Sequence, residues 1–338
     1  MPKNANLNKA KIEKNDEFYT QLIDIENELI HYKQHFKDKI IYCNCDDPTW
    51  SAFWKYFHLN FSTLGLKKLI STHYDITEST YKMEYTGGYD NDIEIGIKTP
   101  LEGNGDFRNQ ECIDLLKESD IVITNPPFSL FREYVAQLIE YNKKFIIIGN
   151  MNAITYKDIF PLIRDNKLWL GYNSPSEFNT PNGMTKKVQC RWFTNFNHTL
   201  CNKKLILWKN YSPDEFPTYD NYDAIEVSKV LDIPKDFDGV MGVPITFLDS
   251  FNPEQFEILG YTSDSSINED NPLRLHPNSY YDGYVWKCGK NKDKDHRLSS
   301  WMPLLTVGSF GGTKCSKNGC SDIYQLYWRI FIRKKKYA

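Results

Sequence analysis

Four consecutive residues, Asn125-Pro126-Pro127-Phe128, carry the chemistry that the sequence suggests most directly. The carboxamide oxygen of Asn125 and the carbonyl of Pro126 are both acceptors, and the second lies on a backbone that two prolines stiffen. Two acceptors can hold both hydrogens of a planar amino group and draw its nitrogen lone pair out of conjugation. Phe128 offers a face on which a flat ring can stack. The tetrapeptide therefore suits methylation of an exocyclic amine or of an amide nitrogen.

The residues before this tetrapeptide bear on its interpretation. Asn-Pro-Pro is also strong turn chemistry, so a stiff loop without a chemical role is the simpler alternative. Residues 120–124, however, form a short apolar run that predicts a buried strand, and Asn125 follows it directly. Ligands of parallel α/β sheets bind at the carboxyl ends of the strands. The position therefore favours an active-site loop.

Strands and helices alternate along the chain up to about residue 210. Short apolar runs predict strands at residues 39–45, 66–74, 120–124 and 144–149. Helical spacing predicts helices at residues 16–36, 50–61, 109–117 and 130–142, and a glycine-rich polar stretch predicts a hairpin at 86–96. This alternation is typical of an α/β fold in which helices cover both faces of a parallel sheet.

Polar residues follow three of the predicted strands, and they are candidate binding residues for that reason. They are residues 44–48, Asp75 and residues 125–128. After about residue 211 the alternation ends, and proline, glycine, asparagine and aromatic residues dominate. The sequence therefore predicts three regions, residues 1–38, 39–210 and 211–338.

Charge is distributed unevenly along the chain. The net charge is −3, but residues 286–338 contain 12 Lys and Arg against three Asp, so this stretch carries +9 and the remainder −12. A basic end on an acidic chain indicates a surface for phosphates. The alternative is a solvated tail, RKKKYA at residues 333–338, that contacts nothing.

Cysteine content and hydropathy exclude several classes of protein. Eight cysteines are too few for a disulfide scaffold. Cys288, His296, Cys315 and Cys320 lack the spacing of a common zinc finger, so packing is expected there and zinc is the minor alternative. The longest aliphatic run, residues 145–148, is far too short to span a membrane, and no apolar signal peptide begins the chain. We expect a soluble, cytoplasmic protein.

Taken together, eight stretches of this sequence resemble the EcoRI-type adenine-specific DNA methyltransferase family. They extend from residue 15 to the C-terminal end, so the resemblance covers nearly the whole chain. The stretches are KNDEFYTQLIDIENEL, KIIYCNCDDP, KKLISTHY, EGNGDFR, DIVITNPPFSLF, FIIIGNMNAITYKDIFPLI, MGVPITFLDSFNPEQFEILG and YWRIFIRKK. The resemblance implies a Rossmann-like sheet that binds S-adenosylmethionine, with residues 125–128 as the catalytic loop.

The resemblance also implies where the cofactor binds. Asp46, Asp47 and Pro48 occupy the loop after the first strand, where most methyltransferases carry a glycine-rich motif that this chain lacks. Asp75 would hold the ribose hydroxyls, although a plain solvated aspartate is an equal alternative. The residues implied to wrap the methionine end are Asp16, Phe18, Tyr19 and Thr20, and those implied to contact the adenine ring are Asp106 and Phe107.

The C-terminal region is implied to recognise duplex DNA. The enzyme would flip the target adenine out of the helix and stack it on an aromatic ring. Phe128 is the first candidate for that ring, and Trp192 and Phe193 are second candidates for which core burial is the better expectation. The cations expected to contact phosphates are Lys287, Lys290, Lys292, Lys294, Arg297, Lys314, Lys317 and Arg333.

Under this resemblance the three regions acquire roles. Residues 1–38 form an arm and cofactor-motif helix, 39–210 the catalytic core, and 211–338 the target-recognition region with a basic tail. A monomer is implied, with a GAATTC-like site and a cognate endonuclease that acts on the same site without binding the enzyme. The alternatives are an RNA adenine or protein glutamine methyltransferase, and a catalytically inactive DNA-binding module.

Overall fold

The computed structural model describes residues 19–75, 79–180, 184–197, 203–219, 223–261 and 329–335, and it gives the backbone alone of five short strands between residues 285 and 325. The chain divides into two compact units, residues 1–197 and 198–338. The division lies close to the boundary expected near residue 210. The predicted roles of the regions stay predictions.

The described part of the first unit contains eleven strands, of which the second, third, sixth and seventh match the predicted apolar runs to within about two residues. The strands are β1 (Tyr19–Thr20), β2 (Ile40–Asn44), β3 (Lys68–Thr72), β4 (Tyr81–Tyr85), β5 (Ile97–Pro100), β6 (Ile121–Thr124), β7 (Lys144–Asn150), β8 (Trp169–Leu170), β9 (Glu177–Asn179), β10 (Thr185–Lys187) and β11 (Cys190–Thr194). The predicted hairpin is confirmed, since β4 and β5 pair antiparallel on either side of residues 86–96.

Helices of the first unit occupy the four predicted helical regions, with one correction. The first helix, predicted from residue 16, begins at Leu22, because Tyr19 and Thr20 pair with β9 as a strand. The helices are α1 (Leu22–Leu29), α2 (Ala52–Leu59), α3 (Phe61–Leu64), α4 (Gln110–Glu118), α5 (Phe131–Glu140) and α6 (Phe160–Arg164). Short 3₁₀ helices occupy Ile30–His35, Phe128–Leu130 and Met151–Thr155. No helix within the described ranges is both long enough and apolar enough to cross a membrane.

One eight-stranded sheet dominates the first unit, in the order β5-β4-β3-β2-β6-β7-β11-β8. Its four central strands, β3, β2, β6 and β7, are parallel, and the two strands added on each side are antiparallel. The α/β prediction is confirmed. The sheet is mixed, however, because the expected parallel arrangement is limited to the central strands.

Helices cover both faces of this sheet at β2. Ile41 and Cys43 belong to the same core cluster as Phe57 of α2. Tyr42, between them in the chain, is hydrogen-bonded to Cys112 of α4. Because successive side chains of a strand point to opposite faces, α2 and α4 lie on opposite sides of the sheet.

A buried carboxylate fastens α1 to the segment after β8. Glu28 is fully buried and accepts the backbone N–H groups of Tyr172 at 2.9 Å and Asn173 at 2.8 Å. The Tyr32 hydroxyl donates to the same side chain at 3.1 Å. Burial raises the pKa of Glu28. Residues 1–38, predicted as a separate region, thus contribute packed structure to the first unit through α1.

The second unit contains a smaller four-stranded sheet. Its strands are β12 (Ile225–Glu226), β13 (Met241–Pro244), β14 (Phe256–Tyr261) and β20 (Arg329–Lys334) in the order β12-β13-β20-β14. The remaining strands form two further small sheets and are β15 (Val285–Lys287), β16 (Asp295–Arg297), β17 (Leu304–Leu305), β18 (Thr313–Lys314) and β19 (Tyr324–Gln325).

β20 is a structural strand that includes Arg333 and Lys334, so the alternative of a tail that contacts nothing is wrong for these two residues, while residues 336–338 lie outside the described residues. It pairs antiparallel with β13 and β14, and its residues Ile330, Phe331 and Ile332 are buried. The first residue of the strand, Arg329, donates to the buried Glu226 of β12 from Nη2 at 2.7 Å and from Nε at 3.0 Å. The apolar triplet IFI within a basic stretch is the sequence signal for this burial.

Candidate active site

The loop after β2 turns sharply without a glycine. Cys45 has a φ of 73°, in the left-handed region that glycine normally occupies. Immediately after it, the backbone N–H of Asp46 donates to the carbonyl of Thr72 at the end of β3, at 2.9 Å. The chain therefore makes the tight turn of a glycine-rich motif with a cysteine, and Asp46 and Asp47 follow at the carboxyl end of the parallel strands.

Asp46 turns its carboxylate toward the protein. Oδ1 accepts from the Ser51 hydroxyl at 3.2 Å, and Oδ2 accepts from the Thr124 hydroxyl. The backbone N–H of Asn125 also donates to this carboxylate. Burial is the largest influence on Asp46 and raises its pKa to about 7, although the three donors act in the opposite direction.

Asp47 stabilises the same loop through hydrogen bonds of its side chain and its backbone. Its Oδ1 accepts from the backbone N–H of Thr49 at 2.9 Å and from the Tyr81 hydroxyl at 2.9 Å. Its carbonyl oxygen accepts the backbone N–H of Ser51 at 2.7 Å, and the Ser51 hydroxyl caps the start of α2. The loop that contains Asp46, Asp47 and the buried Pro48 is thus rigidly joined to the helix that follows it.

A glycine brings a second loop against the end of β3. Gly105 has a φ of 74°, and a Cβ there would lie 1.8 Å from the carbonyl oxygen of His73. The backbone N–H of Asp75 donates to the carbonyl of Asn104 at 3.0 Å. This close approach places the predicted cofactor residues Asp75 and Asp106 in adjoining loops.

The two predicted adenine-contacting residues are held differently. Asp106 accepts from Arg108, through Nε at 2.9 Å and Nη2 at 2.7 Å. Phe107 is buried and contacts Tyr134 edge-on, with ring centroids 5.0 Å apart. Their contacts with a cofactor remain a prediction.

The predicted catalytic loop begins where β6 ends. Thr124 is fully buried and anchors the loop through Asp46. Asn125 and Pro127 are partly buried, Pro126 is buried, and Phe128 starts a 3₁₀ helix and packs partly against the core. Phe128 keeps some exposed surface, as a stacking ring requires.

The second candidates for that ring lie in the core. Trp192 and Phe193 of β11 are both 0% exposed. The expectation of core burial is confirmed for both residues.

The N-terminal cofactor motif is described in part. Asp16 and Phe18 lie outside the described residues. Tyr19 and Thr20 form β1, which pairs with β9 and lies beside α2. β1 therefore approaches the helix whose first turn is fastened to the Asp46 loop.

Four buried polar atoms without a hydrogen-bond partner lie in these same segments of the described chain. They are Thr20 Oγ1, Asn44 Nδ2, His73 Nδ1 and Ser129 Oγ, while others, such as Trp192 Nε1 and Asn252 Nδ2, lie elsewhere. Unsatisfied buried polar atoms are costly, and water or a polar ligand can satisfy them. The donor and acceptor set fits a cofactor that carries amino, carboxylate and hydroxyl groups.

Comparison with known proteins agrees with this arrangement. Residues 6–335 match the sequence profile of the family described as adenine-specific methyltransferase EcoRI. The chain belongs to this EcoRI-type adenine-specific methyltransferase family. It is 48% identical to the Type II methyltransferase M.EcoRI of Escherichia coli, over 78% of this chain and 93% of that protein.

Two mycoplasma proteins are further relatives in the EcoRI-type family. The chain is 41% identical to the Type II methyltransferase M.MgeORF184P of Mycoplasma genitalium and 40% identical to M.MpnI of Mycoplasma pneumoniae. Each match covers 75% of this chain and 84% of the relative. No solved structure matches the chain.

The phosphate contacts expected for an EcoRI-type enzyme fall largely outside the described side chains. Lys290, Lys292, Lys294 and Lys317 lie outside the described residues, as do Cys288, Cys315 and Cys320. Lys287, Arg297, Lys314 and His296 are described only as backbone within short strands. Among the described residues, no group of three or more His, Cys, Asp or Glu side chains could hold a metal ion.

Arg333 is the one predicted phosphate contact whose side chain is described. It lies opposite Glu257 in the β14–β20 pair, and its Nε donates to Glu257 Oε1 at 2.5 Å. The pair is partly exposed, so a phosphate could compete for the guanidinium.

Sequence reasoning missed two residues that build the site of this EcoRI-type chain. Ser51 precedes the aromatic run of α2, and a helix-capping signal of that kind could have identified it. Thr124 is the last residue of an apolar strand, and no local pattern distinguishes it from an ordinary strand threonine. Its importance follows only from its contact with Asp46, 78 residues away.

Proposed function

We propose that this protein transfers a methyl group from S-adenosylmethionine to N6 of an adenine in duplex DNA, as the modification half of a type II restriction-modification system. The observation that carries the proposal is the Asn125–Phe128 loop at the carboxyl end of β6, in a chain of an adenine-specific methyltransferase family. The parallel centre of the sheet supports a Rossmann-like methyltransferase fold.

Asn125 and Pro126 would hold the amino group of the target adenine. The carboxamide oxygen and the carbonyl oxygen accept its two hydrogens, which leaves the nitrogen lone pair free to attack. Phe128 would support the ring by stacking, and the methylated nitrogen would release its proton to solvent water after the methyl group has arrived. No general base is required for this step.

Residues of the surrounding loops would hold the cofactor. S-adenosylmethionine supplies an electrophilic methyl group on a positively charged sulfur. Tyr19 and Thr20 would contact its methionine end, Asp75 its ribose hydroxyls, and Asp106 and Phe107 its adenine ring. Three buried polar atoms without a hydrogen-bond partner support this assignment. They lie in β1, at the end of β2 and just after β3, and are Thr20 Oγ1, Asn44 Nδ2 and His73 Nδ1.

The second unit would supply target recognition. A base that is paired within a DNA duplex cannot reach the Asn125–Phe128 loop of the protein. The enzyme would therefore flip the adenine out of the duplex, at a cost of a few kcal/mol. Residues 211–320 are the region in which we expect base-reading side chains. The family resemblance suggests a GAATTC-like site and a monomeric enzyme, and we expect a cytoplasmic location from the composition.

Product analysis tests the proposal directly. The protein is incubated with methyl-labelled S-adenosylmethionine and unmethylated duplex DNA that contains GAATTC sites, and the DNA is digested to nucleosides. We expect the label in N6-methyladenine, and we expect the treated sites to resist a GAATTC-cleaving endonuclease. DNA in which GAATTC is replaced by a scrambled hexamer is the matched control for site specificity.

Two results would contradict the proposal at different levels. Label in N6-methyladenine of both DNAs would exclude the GAATTC-like site but keep the chemistry. Unlabelled DNA, from a protein that binds the cofactor, would exclude DNA as the substrate when unmethylated genomic DNA is also unlabelled, and it would direct the search to RNA or protein glutamine.

A further inference from the structure

The carboxylate of Asp46 joins three segments of the first unit. It accepts from the Ser51 hydroxyl at the start of α2, from the Thr124 hydroxyl at the end of β6, and from the backbone N–H of Asn125. Asp46 therefore links the loop after β2 to the loop after β6. All three contacts are with the protein itself.

The backbone of Asp46 is fixed as firmly as its side chain. Its N–H donates to the carbonyl of Thr72 at 2.9 Å, and its carbonyl accepts from the Ser71 hydroxyl. The left-handed Cys45 precedes it and sets the direction of the turn. A carboxylate on such a rigid base can hold the loop that it contacts.

We propose that Asp46 is a positioning residue, which holds Asn125 in place through Thr124 and through the Asn125 backbone, rather than a ligand of the cofactor. The inference rests on the proposed function, because the position of Asn125 affects turnover only if Asn125 binds the target amine. It replaces the cofactor contact that the family resemblance implied for Asp46.

A proton count at Thr124 refines the proposal. The Thr124 hydroxyl has one proton but contacts two oxygen atoms, the carbonyl of Asn44 and Oδ2 of Asp46. A carbonyl and a carboxylate oxygen both accept, so these two oxygen atoms share the single hydroxyl proton. Burial raises the pKa of Asp46 to about 7, and the bond from Thr124 acts in the opposite direction, as a bond to the ionised form does.

Several ionisable groups face Asp46 from the elements packed around it. They are Asp47 on the same loop, the thiols of Cys43 and Cys45, and the Tyr134 hydroxyl of α5. Burial raises the pKa of both thiols and of Tyr134, so these three groups are neutral near pH 7. Asp47 is the neighbour that opposes ionisation of Asp46.

The direction of this bond predicts which substitutions preserve the link. In Asp46→Asn, the amide oxygen can still accept from the Thr124 hydroxyl, so the link survives. Asp46→Ala and Thr124→Val each remove it. We expect Asp46→Ala and Thr124→Val to lower kcat by about tenfold or more, and Asp46→Asn to retain most of it.

Measuring cofactor affinity distinguishes a role of Asp46 in positioning Asn125 from a role as a ligand of the cofactor. The dissociation constant of S-adenosylmethionine, measured by calorimetry without DNA, should change less than about threefold in all three variants. A cofactor ligand that acts through its charge would weaken binding in both Asp46 variants and leave Thr124→Val unaffected. That pattern would overturn the inference.

Thr194→Val is the matched control for Thr124→Val. Thr194 is also a fully buried strand residue, and its hydroxyl donates to the carbonyl of Phe145 on the neighbouring strand at 2.8 Å. Phe145 lies near the amino end of β7, whereas the loops after β2 and β6 lie at the carboxyl ends of the parallel strands. Thr194→Val should lower stability as Thr124→Val does, but it should leave kcat unchanged.

A double-mutant cycle tests the link without any turnover. Asp46→Ala and Thr124→Val should be non-additive in the unfolding free energy of the cofactor-free protein, because each removes the same interaction. Additive effects would overturn the inference even if the enzyme is active. A wild-type protein that methylates no DNA would instead overturn the proposed function, and the cycle would still report on the link.

Discussion

At the residue scale, Asn125 combines a buried backbone link with a side chain suited to an amino group. We expect Asn125→Ala to abolish methyl transfer, because Pro126 alone cannot hold both amine hydrogens. Binding of S-adenosylmethionine should survive, since the backbone link to Asp46 does not need the side chain. Single-turnover transfer and calorimetric binding check the two halves of this prediction, and unchanged turnover would contradict the assigned role.

The raised pKa of Asp46 predicts how stability depends on pH. The ordinary value is 3.8 and the folded value is about 7, so the folded protein binds this proton more tightly than the unfolded chain. The resulting stabilisation is complete below pH 4 and is lost as pH rises through 7. Glu28 has its pKa raised by burial and adds a contribution in the same direction.

Asp46→Asn isolates the contribution of Asp46. We expect the difference in unfolding free energy between wild type and Asp46→Asn to change between pH 4 and 7 and to be constant above about pH 8. Chemical denaturation at a series of pH values measures it. A difference that is independent of pH would mean that the folded and unfolded pKa values are equal.

At the scale of elements, Gly105 controls how closely two loops approach each other. In Gly105→Ala the new Cβ would meet the His73 carbonyl, so residues 104–107 must shift away from the end of β3. We expect a loss of stability greater than about 1–2 kcal/mol and weaker cofactor binding. Thermal unfolding and calorimetry measure the two effects.

Gly88 supplies the control for Gly105. It also has a positive φ, 119°, but a Cβ there would contact nothing within 4 Å. Gly88→Ala therefore measures backbone strain alone. Equal effects of the two substitutions would show that the close approach of the loops is unimportant.

The elements that local sequence determines were predicted best. Apolar runs located β2, β3, β6 and β7 to within about two residues, and the Asn125–Phe128 loop follows its strand as expected. Contacts between distant residues could not be predicted. The link from Asp46 to Thr124 spans 78 residues, and the clash that demands Gly105 depends on how β3 and the loop before α4 pack. Strand direction outside the parallel centre also has no local signal.

At the scale of the whole chain, the second unit contains a buried ion pair whose disruption would be costly. Arg329→Ala would leave the carboxylate of Glu226 buried without its cation. We expect a loss of about 3–5 kcal/mol in unfolding free energy. Arg333→Ala is the control, since its pair with Glu257 is partly exposed and should contribute about 0–1 kcal/mol.

Denaturation of the two arginine variants checks this difference, and DNA binding adds a second measurement. Arg333→Ala should weaken DNA binding and lower its salt dependence if Arg333 contacts a phosphate. Two variants of equal stability would contradict the importance of burial for the Arg329 pair.

The position of β20 in the smaller sheet has a consequence for biosynthesis. β20 lies between β13 and β14, yet it follows β14 by about 70 residues in the chain. During translation, β13 and β14 leave the ribosome long before their shared partner, and each exposes an unpaired edge that can associate with other chains. A premature stop codon before residue 329 would make that exposure permanent, so we expect such products to aggregate or to be degraded rather than accumulate as a functional fragment.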